Sequence, residues 1–196
     1  MSVIENQESA ERLLSALGEQ LAAIGERFEL VVVGGSGLLV LGEIERSTRD
    51  IDLVALRNGE ELATAKPLPG SLSRAAERVA RDFGLDEGWL NGGPTALLDL
   101  GLPEGFLERL DSRSYGKALI VHFASRYDQI HLKLYAMVDA GGPGKHEEDL
   151  RALTPSEAEL LAAANWSRTH DPSEGYRETL LRALRHLGVS DAALRT

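Results

Sequence analysis

Two aspartates, Asp50 and Asp52, stand two residues apart in a segment, 50–56, whose alternating apolar pattern predicts a β-strand. Side chains two apart on a strand point to the same face, so we expect both carboxylates there. Neighbouring carboxylates repel each other and lose solvation, and a divalent cation relieves both costs. Because Mg²⁺ commonly binds through one or two carboxylates and substrate phosphates, the pair favours metal-assisted phosphoryl or nucleotidyl transfer. By itself, such a pair is also common at solvated strand ends.

A glycine-rich segment, Gly34-Gly-Ser-Gly37, precedes the aspartates. It follows an apolar, β-branched run, 28–33, that predicts a buried strand, and the residues from Ser36 onward predict a helix. Glycines let the backbone approach a ligand closely, N–H groups at a helix start bind phosphate oxygens, and Ser36 adds a hydroxyl. Alone, this pattern also fits a plain strand-to-helix turn. Thirteen residues separate Ser36 from Asp50, and together the two motifs predict one site for a triphosphate and its metal ions.

The elements around these motifs indicate a mixed α/β fold with a helical C-terminal part. Apolar periodicity predicts strands over 28–33, 50–56 and 117–124, and helices over 9–24, 71–83, 127–138, 145–153, 155–164 and 176–187. Ser71 or Ser73 is the expected N-cap of the second of these helices. We expect a core over residues 1–125 and a helical region over 126–196 packed on it.

The order of these motifs resembles a known signature. An apolar strand, Gly-Gly-Ser and then Asp-apolar-Asp-apolar resembles the polymerase-β-like nucleotidyltransferases. This resemblance implies a mixed sheet of the nucleotidyltransferase fold, flanked by helices. The segment Arg46-x-Thr48-x-Asp50-Ile-Asp52 is similar to minimal nucleotidyltransferases of the abortive-infection AbiEii type, the toxins of type IV toxin–antitoxin pairs. The resemblance spans roughly residues 28–155 and includes four weaker segments: 131–136, 145–153, Trp89-Leu-Asn91 and Leu102-Pro-Glu-Gly-Phe106.

The resemblance implies roles for particular residues. It implies Mg²⁺ (or Mn²⁺) ligands at Asp50 and Asp52, and phosphate contacts at Gly35 and Ser36. Two of the weaker segments, 131–136 and 145–153, imply further roles. Lys133 would contact the triphosphate, and Asp149 would orient Lys133 or help activate the acceptor.

Arg46 is a further candidate for contact with phosphate or substrate, and Thr48 for contact with nucleotide. Thr48 alternatively shapes only the start of the strand. A phosphate on its hydroxyl would compete with the nucleotide and occupy the metals, which makes Thr48 a candidate modification site.

The reaction implied is attack by an acceptor hydroxyl on the α-phosphate of an NTP, with release of pyrophosphate. The implied acceptor is RNA, specifically a tRNA 3′ end, and a cognate antitoxin protein is the expected partner. Two alternatives stay open: transfer to a small molecule or protein, and a catalytically silent nucleotide-binding module.

Plainer interpretations exist for the later residues. A lysine beside an apolar helix face, as at Lys133, often extends to solvent, and Asp149 also fits an exposed helix position. Many relatives carry a third carboxylate on a later strand, whereas the segment 117–124 has none. Apart from Lys117, its only titratable residue is His122, and a strand histidine is more often structural. The general base is therefore left open.

The overall composition limits which kinds of partner the chain is expected to bind. A net charge of −10 excludes a uniformly basic nucleic-acid binder. A local basic surface or an ordinary solvated face is predicted from Arg109, Arg113, Lys117, Arg126 and Lys133. The absence of cysteine excludes disulfides and thiolate metal sites and fits a cytoplasmic protein. No apolar run approaches the roughly 20 residues that cross a bilayer, so no membrane partner is expected.

Overall fold

The computed structural model describes residues 3–142, 144–191 and 193–195. The chain divides into two compact units, Met1–Ser125 and Arg126–Thr196. The first contains a sheet with its helices, and the second is helical. The predicted mixed α/β class, with a helical C-terminal part, is confirmed.

Within the described part of the first unit, the sheet has six strands: β1 Phe28–Val33, β2 Ile51–Asn58, β3 Glu61–Ala63, β4 Leu90–Asn91, β5 Asp111–Tyr115 and β6 Leu119–Phe123. Their order is β3-β2-β1-β6-β5, and β4 pairs with β2 outside this path. Because β1 is antiparallel to β2 and parallel to β6, the sheet is mixed. Three strands were not predicted. β3 and β4 are very short, and β5 is polar with only Tyr115 buried, so none shows an apolar run.

The α-helices that the structure describes beside this sheet are α1 Gln7–Ala23, α2 Gly34–Leu41, α3 Gly70–Phe83 and the short α4 Leu97–Leu100. Helix α1 begins with a capping box, in which Asn6 and Ser9 bind each other's backbone N–H groups. A Cβ on Gly18 would lie 2.1 Å from the Tyr115 carbonyl oxygen, so the absent side chain lets α1 approach β5 closely. Pro69 is the N-cap of α3 and gives no side-chain hydrogen bond, so the prediction of Ser71 or Ser73 is wrong.

The second unit contains α5 Arg126–Asp139, α6 Lys145–Ala152, α7 Glu157–Arg168 and α8 Glu174–His186. The Arg126 guanidinium joins the start of α5 to the α6–α7 connection. Its Nε and Nη2 donate to the Leu153 carbonyl at 2.9 and 2.6 Å, and its Nη1 donates to Glu159 at 2.6 Å. Among the described residues, no helix is both long and apolar enough to span a membrane.

Candidate active site

The pairing of β1 with β2 sets the position of Asp52. Val31 pairs with Ala55 but Val32 pairs with Leu53, so a bulge at this point shifts the register. As a result Val33, the last residue of β1, lies opposite Asp52. The carboxylate of Asp52 therefore stands beside the turn into α2.

Gly34 makes this approach feasible. Its φ of 80° lies in the left-handed region, and a Cβ there would stand 3.0 Å from Oδ2 of Asp52. Any side chain at this position would thus be strained and would press on the carboxylate. The glycine-rich segment and the second aspartate are brought together, as the sequence predicted.

Helix α2 begins at this turn. Its N-cap residue, Val33, gives the first turn no side-chain hydrogen bond, and helix starts carry N–H donors that the helix itself does not use. Ser36 in the first turn is 1% exposed, and its Oγ has no hydrogen-bond partner among the described atoms. A buried hydroxyl without a partner is costly, and together with these donors it could donate a hydrogen bond to a phosphate oxygen.

Arg46 lies over the same segment. A Cβ on Gly35 would be 3.0 Å from its Nη2 atom, so the guanidinium sits directly against the glycine backbone. Its Nη1 donates to the Ser47 carbonyl at 3.2 Å. Of the predicted phosphate contacts, Gly35, Ser36 and Arg46 therefore cluster around the start of α2.

Thr48 and Asp50 lie just before β2. Thr48 forms an isolated antiparallel bridge with Ile4, and its Oγ1 is 3.4 Å from both the carbonyl and Oδ1 of Asp50. Strand β2 begins at Ile51, so Asp50 precedes the strand, and the prediction that both aspartates lie within it is wrong for Asp50. Both carboxylates are half-buried, and Ile51 between them is 1% exposed.

Asn91 is a site neighbour to which the sequence assigned no role. Strand β4 runs parallel to β2 and places Asn91 beside Asp52 in register. The Oδ1 of Asn91 accepts the Gly93 N–H at 2.8 Å. Buried Trp89 anchors this strand, since its Nε1 donates to the Ala76 carbonyl at 2.9 Å. The Trp89-Leu-Asn91 segment was the available signal, although its strand is too short to be predicted.

The donor set fits a hard divalent cation. Asp50 and Asp52 supply carboxylate oxygens, and Mg²⁺ commonly binds through one or two carboxylates while substrate phosphates complete its shell. Within the described residues, no group of three or more His, Asp or Glu side chains is arranged to hold a metal. The residues therefore suit a cation that arrives with a nucleotide better than a closed protein cage.

Lys133 and Asp149 meet within the second unit. The Lys133 ammonium on α5 lies 2.5 Å from Oδ2 of Asp149 on α6. Their side chains are only 7% and 1% exposed, so the solvent-exposed interpretations of both residues are wrong. The two residues that the weaker motifs singled out are thus direct partners.

The basic segment 109–133 offers little unpaired charge. Arg113 pairs with Glu11 at 2.7 Å, Arg126 pairs with Glu159, and Lys133 pairs with Asp149. These ion pairs neutralise three of the five cations that suggested a basic surface.

Two comparisons with known proteins gave a match. The model of a family described as "Nucleotidyltransferase of unknown function (DUF6036)" matches residues 11–153. The crystal structure of an antigenic nucleotidyltransferase-like protein from Paracoccidioides brasiliensis is similar, with a TM-score of 0.52 and 13% sequence identity. The match covers 99% of this chain and 95% of that chain, and at this identity it shows the fold alone. No curated protein matches the chain.

Proposed function

This chain belongs to the family of nucleotidyltransferases of unknown function, and we propose that it transfers a nucleoside monophosphate from an NTP to an RNA acceptor. One observation supports this most directly: the Asp52 carboxylate stands against Gly34 at the start of α2, and the buried Ser36 hydroxyl is two residues further along the same first turn. In this proposal, the groups that donate hydrogen bonds to phosphate therefore lie next to the carboxylate oxygens that bind the metal.

Each residue has a defined task in this proposal. The first turn of α2 and the Ser36 hydroxyl bind phosphate oxygens, and Arg46 offsets phosphate charge. Asp50 and Asp52 hold Mg²⁺ or Mn²⁺, which when bound supplies charge neutralisation and lowers the pKa of the acceptor hydroxyl. The acceptor oxygen forms a bond to the α-phosphorus, the bond to the β-phosphate oxygen breaks, and pyrophosphate leaves.

Lys133 keeps the triphosphate role that the family resemblance implies, with Asp149 as the group that orients it. The 2.5 Å pair supports the orienting role, because a carboxylate this close fixes the position of the ammonium. Asn91 adds a polar side chain beside Asp52.

The RNA acceptor, specifically a tRNA 3′ end, is supported by the resemblance to AbiEii-type enzymes. The same resemblance supports a cognate antitoxin partner, and the absence of cysteine agrees with action in the cytoplasm. Three of the cations in 109–133 are paired with carboxylates, so they do not offer a continuous basic surface to an RNA backbone. We therefore expect the protein to recognise the end of the acceptor rather than a long stretch of its backbone.

The test is transfer of label from each α-³²P-NTP, with Mg²⁺ or Mn²⁺, to total RNA and separately to RNA-free lysate. Asp52→Asn should lower transfer at least about 100-fold. Asp82→Asn makes the same chemical change at an exposed position on α3 and should leave transfer unchanged.

The outcomes separate the alternatives. Label that appears only in protein or small molecules would overturn the RNA acceptor while keeping the enzyme. A wild-type protein that binds Mn²⁺-NTP but transfers no label would overturn the enzyme and leave the silent nucleotide-binding module, and one that does neither would overturn both. Growth arrest on induction of the wild type, absent with Asp52→Asn, is expected of a toxin, and normal growth would contradict that role.

A further inference from the structure

A second group of chemically competent side chains crosses the sheet of the first unit. Ser112 on β5 lies directly opposite His122 on β6, and Glu29 is on the adjacent β1. Oγ of Ser112 is 2.7 Å from Nδ1 of His122, and Nε2 of His122 is 3.0 Å from Oε2 of Glu29. Hydroxyl, imidazole and carboxylate therefore form one hydrogen-bonded row, the Ser112–His122–Glu29 row.

For a neutral His122, hydrogen-bond chemistry assigns the direction of this row. An ionised carboxylate only accepts, so Nε2 of His122 must carry the proton that bridges to Glu29. In a neutral imidazole the other nitrogen, Nδ1, is then an acceptor, and the Ser112 hydroxyl donates to it. The carboxylate thus sets the tautomer that makes His122 a base toward Ser112, which is the division of roles in Ser-His-acid triads, here with the two ring nitrogens exchanged.

Exposure of the three residues suits a nucleophile. Ser112 is exposed, whereas His122 is 5% exposed and lies behind it. Strand β5 ends the strand path and pairs with β6 alone among the described strands. An incoming electrophile would therefore meet the hydroxyl first, at an open sheet edge, with its base shielded from water.

We propose that Ser112 is a base-activated nucleophile that accepts an acyl group from a carboxylic ester. The Ser112 oxygen forms a bond to the carbonyl carbon while its proton moves to Nδ1 of His122, and Glu29 stabilises the imidazolium. The ester C–O bond then breaks, and the departing alcohol takes the proton back from His122. The products are acyl-Ser112 and a free alcohol, and the step is independent of nucleotide transfer.

The strand provides a matched control for this proposal. Ser114 is also exposed, and it lies on the same face of β5, but it is opposite Ile120 and so lacks a base in the paired position. A serine that is reactive merely because it lies on an open edge strand would react equally at both positions. Activation by His122 predicts reaction at Ser112 only.

The experiment treats the full chain with a fluorophosphonate probe, which bonds to an activated serine oxygen with loss of fluoride, and locates the adduct by peptide mass spectrometry. Wild type and Ser114→Ala should be labelled once, at Ser112, and Ser112→Ala should not be labelled. Glu29→Gln should slow labelling at least about tenfold, because the tautomer is no longer fixed.

Glu29→Gln also distinguishes a role of Glu29 in activating Ser112 from a role in stabilising the sheet. A purely structural Glu29 would lower the unfolding midpoint and leave the labelling rate of the folded protein unchanged. The proposal fails if the wild type remains unlabelled, if Ser112→Ala is labelled like the wild type, or if Ser114 reacts as fast as Ser112.

Discussion

The Lys133 ammonium and the Asp149 carboxylate form a 2.5 Å ion pair between α5 and α6, and both side chains are buried. Burying a charge is unfavourable unless an opposite charge compensates for it. The loss of either residue would therefore leave the other as an uncompensated buried charge and destabilise the protein. The pair therefore has a structural effect whatever its part in nucleotide transfer, and the two effects need separate measurement.

Lys133→Met should lower the free energy of unfolding by about 3–5 kcal/mol, because it leaves the buried Asp149 carboxylate without its countercharge. The double variant Lys133→Met/Asp149→Leu should recover most of this loss, since neither charge then remains. Urea denaturation of both proteins provides the measurement. A single variant as stable as the wild type would contradict the pairing, and a stable double variant without transferase activity would assign the pair to chemistry.

Gly34→Ala tests the contact with Asp52. Alanine at a φ of 80° is strained, and its Cβ would press on Oδ2 of Asp52, so Mn²⁺-NTP affinity should fall at least about tenfold. Gly42→Ala is the matched control, because Gly42 at the other end of α2 has a φ of 74° and nothing within 4 Å. Isothermal titration should show normal affinity for the control, and equal losses in both variants would mean that only backbone strain matters.

Local patterns were sufficient to predict much of the site. The glycine turn and the aspartates lie close in sequence, and an apolar strand precedes the turn, so their approach needs only one antiparallel pairing. Apolar periodicity likewise located β1 at its observed bounds and α1 with small shifts.

Long-range pairing explains what the sequence did not indicate. Asn91 reaches Asp52 through a two-residue strand that has no periodic pattern. His122 and Glu29 are 93 residues apart, and only the parallel pairing of β6 with β1 joins them. The polar strand β5, which brings Ser112 to His122, resembles a loop in composition. These contacts depend on tertiary packing, which residue types alone do not reveal.

Gly18→Ala should destabilise the protein, although replacing glycine by alanine usually stabilises a helix. Alanine normally stabilises a helix interior by about 0.5–1 kcal/mol. Here its Cβ would lie 2.1 Å from the Tyr115 carbonyl oxygen, so α1 must move away from β5 and the protein should lose about 1–3 kcal/mol. Thermal unfolding measures the change against Gly88→Ala, where nothing lies within 4 Å of the added Cβ. A stabilised Gly18→Ala protein would show that α1 does not pack this closely.

Glu159→Gln should change the acid sensitivity of the second unit. Hydrogen bonds from Arg126 lower the pKa of Glu159 from 4.5 to about 2. Because the folded pKa is the lower one, this stabilisation is present above about pH 4.5 and is lost as the pH falls through about 2. The variant should be less stable by about 1–2 kcal/mol at pH 7, after allowance for solvent screening, and should match the wild type near pH 2. Urea unfolding across pH 2–7 tests this, and a difference independent of pH would exclude the ion pair as its cause.

Ser36→Ala should weaken nucleotide binding without lowering the stability of the protein, whereas Lys133→Met should lower its stability. The Ser36 hydroxyl is buried, and none of the described atoms hydrogen-bonds to it, so its removal should cost no stability. Nucleotide affinity should fall about tenfold or more, because a hydroxyl bound to phosphate contributes a charge-assisted hydrogen bond. Ser167→Ala is the comparison: Ser167 is equally buried but donates to the Ala164 carbonyl at 2.9 Å, so its loss should destabilise the protein by about 1 kcal/mol. Should Ser36→Ala prove destabilising with unchanged NTP affinity, the hydroxyl serves the fold, and the start of α2 is no phosphate site.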